Sequence, residues 1–160
     1  MRKWINLVES PTIYYHGSRS ALPVATILTA QSDGYVQGNS HFDEMERETH
    51  ERCETIIEHY RPSEAPSREM AVFLVTNPEE IDSAGGYTDY IYVVEPHGLV
   101  WKANLSWYSK LYIHCEDETI DLDECARYAR NYWAAAPCDR SDLFEYLVHA
   151  AKIVEEIVEK

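Results

Sequence analysis

Between residues 42 and 60, positions suited to burial fall three and four apart: Phe42, Met45, Thr49, Cys53, Ile56, Ile57 and Tyr60. That spacing lays them along one face of a helix. It predicts a helix that begins near Ser40, with Asp43 as a weak capping-box partner, and that Pro62 stops. Asp43 with Arg47 and Glu48 with Arg52 are i,i+4 charge pairs on its outer face. His41, His50 and His59 are spaced by nine, which puts consecutive members on opposite faces and predicts surface residues rather than a ligand set.

Elsewhere the pattern is mostly that of strands. Residues 11 to 17 read as a first strand running into a glycine turn, and 22 to 30 as a β-branched strand or extended loop broken by Pro23. Ser32 to Asn39 holds two glycines and reads as a loop. Met70 to Val75 predicts a buried strand and Tyr87 to Glu95 a longer one. Asn77 caps a short helix with Pro78 at its first position, and Gly85-Gly86 ends it. Residues 104 to 136 are mostly helical, with a polar break from Glu116 to Asp123. Phe144 to His149 and Lys152 to Val158 are two late strands around a two-alanine corner. This order predicts one mixed α+β domain over residues 1–160, with split antiparallel sheets. No glycine-rich loop follows a strand, so neither a Rossmann fold nor a P-loop is supported.

Composition narrows the function classes. Hydrophobic residues at 45% and charged residues at 26% exclude a disordered chain. Fourteen basic against twenty-eight acidic residues give a net charge of −14, which repels phosphate backbones and argues against stable nucleic-acid binding. No apolar run approaches the roughly 20 residues of a spanning helix, and the first residues lack an apolar leader segment. The expectation is a cytoplasmic protein without a membrane partner. Cys53, Cys115, Cys125 and Cys138 form no C-x-x-C pair, so no metal site is expected and free, mostly buried thiols are.

The most informative short stretch is Tyr14-Tyr15-His16-Gly17-Ser18-Arg19. A histidine followed by glycine at a strand end exposes an imidazole beside a backbone that no Cβ obstructs, suited to a flat carboxamide. The alternative is a turn with a hydrogen-bonded structural histidine. Glu145 opens a late strand, where it is either a site carboxylate or an exposed surface charge. Phe73 on a strand fits plain core equally well. Tyr90, Tyr92, Tyr128 and Tyr132 fit strand and helix faces and need no ligand.

The stretch from Tyr14 to Ser20, followed by Ile27-Leu28, resembles the first motif of the ADP-ribosyltransferase superfamily. It is similar both to poly-ADP-ribose polymerases and to small bacterial rifamycin ADP-ribosyltransferases. Ile91-Tyr92-Val93-Val94-Glu95-Pro96-His97-Gly98 resembles the V-Y-x-V-E-P-x-G strand of the rifamycin group. Glu145-Tyr146-Leu147-Val148 looks like the strand that carries the polymerases' catalytic glutamate. The three occur in the family's order across residues 14 to 148, and the helical segment from 40 to 61 has no counterpart.

The resemblance implies split antiparallel sheets around a cleft with flanking helices, holding NAD as substrate. Breaking the nicotinamide–ribose bond passes through an oxocarbenium-like state, so an anion near the sugar is needed. By the resemblance Glu145 and His16 are the catalytic pair, His16 holding the ribose 2′-hydroxyl and Glu145 stabilising the developing charge. Gly17 binds the carboxamide, Ser18 continues the NAD-binding motif, and Arg19 and Arg68 meet the diphosphate. Phe73 stands where the rifamycin group has its ring-stacking tyrosine, and Tyr87 is the alternative. The chain departs from the rifamycin group after Gly98, where Leu99 to Asn104 contains no acid. The function implied is mono-ADP-ribosyl transfer from NAD to a small-molecule or protein acceptor. The alternative is a catalytically inactive binding module of the same fold, an inhibitor or adaptor. A third, an NAD-dependent RNA 2′-phosphotransferase, needs an arginine-lined cleft that the acidic composition opposes.

Overall fold

The computed structural model describes residues 12–30, 43–117, 120–138 and 142–158. Within them the chain is a mixed α+β arrangement of two antiparallel sheets and three α-helices. The first sheet has the order β1-β4-β7-β2, formed by Tyr14–Ser18, Tyr90–His97, Ala150–Ile157 and Ile27–Leu28. The second has the order β3-β6-β5, formed by Val72–Leu74, Phe144–Val148 and Trp101–Asn104. The helices are α1 (Glu44–His59), α2 (Leu105–Cys115) and α3 (Leu122–Trp133).

Two clusters of buried side chains hold these layers. Leu28, Val72, Leu74, Tyr92, Val148, Ala151 and Ile153 fill the space between the sheets. Cys53, Ile57, Leu111, Ala129, Tyr132 and Leu147 join the three helices to the second sheet. Since fully burying a large aliphatic side chain contributes about 1.5–3 kcal/mol, these clusters carry much of the favourable term. Among the described residues no helix is long and apolar enough to cross a membrane.

Several boundaries differ from those read in the sequence. Helix α1 starts at Glu44, because Asp43 is itself the N-cap and accepts from the Glu46 N–H at 2.7 Å. Ser40 and Phe42 lie outside the described residues. Met45 is 77% exposed, so the buried face of α1 begins only at Thr49. His50 is half-buried rather than a surface residue, and burial holds its pKa below the ordinary value. Of the segment 22–30 only Ile27–Leu28 pairs as a strand, and the predicted strand at Met70 shrinks to β3, with a 3-10 turn over Arg68–Met70 before it. Strand β4 begins three residues later and ends two residues later than its apolar run suggested, and Pro96 lies within it.

Strand β5 was not anticipated. Lys102 and Asn104 interrupt its apolar pattern, yet Asn104 is fully buried because its amide donates to the Ala136 carbonyl at 2.7 Å and to Asp142 at 2.9 Å. The corner between the last strands is His149 alone. Both alanines belong to β7, and the chain changes sheets there, since β6 pairs with β3 and β5 while β7 pairs with β4 and β2.

Candidate site at the parting of the two sheets

The two sheets meet at one point. Tyr15 and Val75 exchange both backbone hydrogen bonds, at 2.8 and 3.0 Å, and the pairing stops there. In an antiparallel ladder, alternate residues turn their N–H and C=O groups to opposite edges. Tyr15 turns these groups toward Val75, so His16 turns its own toward β4, and Gly17 again faces the β3 side. By the same alternation Phe73 faces β1. One step beyond the Tyr15–Val75 bridge, the backbone edges of Gly17 and Phe73 therefore look toward each other across the place where the sheets part.

His16 occupies that fork. It is 7% exposed, and its Nδ1 lies 3.0 Å from the Phe73 carbonyl oxygen. A carbonyl only accepts, so Nδ1 carries the proton and Nε2 is the acceptor nitrogen of the neutral ring. The histidine thus captures the carbonyl that a continued ladder would have offered to the other strand.

Gly17 is glycine for a packing reason as well. A Cβ there would stand 1.9 Å from the Tyr87 carbonyl oxygen and 2.6 Å from Ile81 Cγ2. The face above Gly17 is covered by the 81–87 turn, which corrects the expectation of an unobstructed approach from that side. Only its in-plane backbone edge keeps the fork. Gly17→Ala is expected to cost roughly 1–3 kcal/mol of stability in urea unfolding, because Tyr87 backbone must move. Parental stability in that variant would mean that Tyr87 does not pack on Gly17.

Ser18 is fully buried, and its hydroxyl both donates to the Ser20 carbonyl at 2.9 Å and accepts the Ser20 N–H at 3.0 Å. It closes the turn after β1. Arg19 is exposed, with its guanidinium 5.0 Å from the centre of the Tyr87 ring and a hydrogen bond to the Tyr87 hydroxyl at 3.4 Å. Tyr87 lies in the loop before β4, and so stands at the rim of the fork with Arg19.

Arg68 requires a correction. It was expected at the diphosphate, but it is 7% exposed and its guanidinium is turned into the protein. Nε donates to both Glu54 carboxylate oxygens at 3.1 and 2.9 Å, and Nη1 donates to Glu145 Oε2 and the Tyr132 hydroxyl. The rings of Phe73 and Tyr108 lie 4.8 and 4.6 Å from its central carbon. Burial opposes the charge on Arg68, but Glu145 and Glu54 raise its pKa above the ordinary value. In this conformation its guanidinium is engaged by Glu54, Glu145 and Tyr132.

Glu145 is the partner. It is 2% exposed at the second position of β6, and Tyr132 donates to its Oε2 at 2.5 Å. Tyr108 donates to Glu54 at 2.5 Å and completes a cluster of one guanidinium, two carboxylates and two phenols. Burial first, and the neighbouring carboxylates after it, hold both phenols well above the usual tyrosine pKa, so both stay protonated donors. Glu145 is thus neither an exposed surface charge nor a carboxylate open to solvent.

Phe73 connects the two groups. Its carbonyl receives His16 and its half-buried ring lies under Arg68. His16, Gly17, Phe73, Arg68 and Glu145 therefore form one continuous set, with Arg19 and Tyr87 at its edge. A groove of about 400 Å³ opens beside Arg68, between the end of α1 and the Arg68–Met70 turn, with Glu54, Glu58 and Glu69 among its walls. His16 and Gly17 do not line it.

Sequence reasoning missed Glu54, Tyr108 and Tyr132. Tyr132 carried a usable signal, because it lies in step with Cys125 and Ala129 on the buried face of α3, and a buried tyrosine hydroxyl needs a partner. Glu54 carried none, since it sits one position from Cys53 among exposed charges. No protein-family model matches the chain, and no curated protein sequence matches it.

Proposed function

We propose that the chain is an NAD-dependent mono-ADP-ribosyltransferase whose nicotinamide end enters the fork between β1 and β3. The observation that carries this reading is the interrupted ladder: Gly17 presents an N–H and a C=O at the edge where pairing stops, and His16 beside it is held in one tautomer by Phe73. A carboxamide has the complementary donor and acceptor in one plane. The Nε2 of a neutral His16 accepts from a ribose hydroxyl. Tyr87 and Arg19 at the rim supply a ring face and a positive charge for the rest of the dinucleotide. Glu145 is the anion of the site, positioned by Arg68 and Tyr132. The acceptor is a small molecule or a protein side chain.

A second reading, a non-catalytic NAD-binding module, is favoured by the burial of Glu145 and by its pairing with a guanidinium. A carboxylate neutralised this way has less charge to offer an oxocarbenium-like sugar.

Both readings require NAD to bind, and calorimetric titration tests that. Ligand at 100 times its dissociation constant adds about 2.7 kcal/mol to stability, so NAD also raises the melting temperature. His16→Ala is expected to weaken NAD binding about tenfold, the equivalent of one lost hydrogen bond of about 1.4 kcal/mol. Equal affinity in variant and parent would make the histidine a structural clamp on Phe73. No binding at millimolar NAD would end both readings.

A further inference from the structure

Met45, Ile113 and Leu122 are large apolar side chains left 77%, 68% and 73% exposed. They share one end of the helical layer. Arg52 on α1 donates to the carbonyl of Cys115, the last residue of α2, and the Tyr112 hydroxyl reaches the Glu46 carbonyl at 3.5 Å. The end of α2 therefore lies along the first turns of α1. The Asp121 N–H, at the N-cap of α3, donates to His114 Nε2 at 3.1 Å. Each of the three apolar side chains is thus next in the chain to a residue that ties two helices together.

Two of them belong by spacing to buried stripes. Met45 lies four residues before the buried Thr49, and Leu122 lies three and four before the buried Cys125 and Ala126. Positions three and four apart share a helix face. The core-facing stripes of α1 and α3 thus run on into solvent at this end. Single exposed apolar residues are ordinary, whereas several at one place mark an interaction surface.

The charge around them indicates the partner. Glu44, Glu46, Glu116, Asp117, Asp121 and Asp123 stand exposed in the same turns. Against them are Arg47 and Arg52 of α1, the second of which is engaged by the Cys115 carbonyl. A second copy of the chain would bring like acids face to face, and a nucleic acid or an anionic membrane would be repelled. A basic amphipathic helix is complementary. Its apolar stripe meets Met45, Ile113 and Leu122, and its flanking lysines or arginines meet the acids.

We propose that this end of the helical layer docks a basic amphipathic helix of a partner protein. None of its residues belongs to the set around His16, Gly17, Phe73, Arg68 and Glu145, so the proposal does not depend on NAD.

A synthetic amphipathic helix of leucine and lysine, titrated into the full chain by calorimetry and mapped by amide NMR, tests it. The expected result is one peptide per chain, with shifts concentrated at residues 43–47, 112–117 and 121–124. Met45→Ser, Ile113→Ser and Leu122→Ser combined are expected to weaken the Kd about tenfold, the effect of losing the apolar anchors. An oligolysine of equal charge is expected to bind the parent roughly tenfold more weakly for the same reason. Equal binding of the two peptides, parental affinity in the triple variant, shifts centred elsewhere or no binding at all would overturn the proposal. So would self-association of the parent, or its binding to anionic lipid vesicles, that the triple variant abolishes. If the triple variant does not fold, the three single variants in the same titration decide it.

Discussion

Arg68→Ala is expected to destabilise the protein by about 3–5 kcal/mol in urea unfolding, a large share of the stability of a small domain. The substitution leaves buried negative charge behind. Glu54 and Glu145 both direct carboxylate oxygens at the Arg68 guanidinium, and Glu145 is 2% exposed. Without the cation, the carboxylates face one another in a poorly solvated space, with Tyr108 and Tyr132 the remaining side-chain donors to them among the described residues. Three aromatic rings also lose the guanidinium that they surround. Arg127→Ala provides the contrast, because the side chains of its pair with Glu124 are 52% and 40% exposed. Pairs of that kind contribute at most about 1 kcal/mol. A loss at Arg68 no larger than that at Arg127 would show the cluster to be solvated and its burial to be unimportant.

The same cluster explains why the candidate site was only partly legible in the sequence. His16 and Gly17 were singled out by local order alone, because strand, histidine and glycine are adjacent in the chain. The reason for Gly17 was not: it depends on Tyr87 and Ile81, about seventy residues away, closing over it. Arg68, two residues after Pro66, reads as a loop charge, and nothing local says that it turns inward. Its partners come from α1, α2, α3 and β6, a convergence that periodicity does not encode. The helices were legible because their buried faces repeat over several turns, as at Thr49, Cys53 and Ile57. Strand β5 was not, because its buried polar residue, Asn104, is satisfied by partners more than thirty residues away. The change of sheet at His149 was equally hidden, since two consecutive strands with a short corner normally read as a hairpin.

Glu145→Gln separates the site's chemistry from its structure. The cluster holds two carboxylates for one guanidinium, so removing the charge at 145 leaves Arg68 and Glu54 balanced. Fold and stability are therefore expected to change little, in contrast to Arg68→Ala. A transition state with oxocarbenium character, however, loses its anion. Removing one such electrostatic contact lowers turnover by about 10² to 10³, while NAD affinity stays close to parental because the ground-state contacts remain. Parental turnover in Glu145→Gln would remove Glu145 from the chemistry and leave it a structural partner of Arg68.

Release of nicotinamide from NAD by the purified parental protein, followed over hours by chromatography with and without candidate acceptors, tests the enzyme reading most directly. The account predicts nicotinamide released in proportion to protein, at rates that Glu145→Gln reduces at least a hundredfold. NAD that binds, with a melting-temperature rise, yet yields no nicotinamide above the spontaneous rate would contradict it and leave the binding module as the function of the fork.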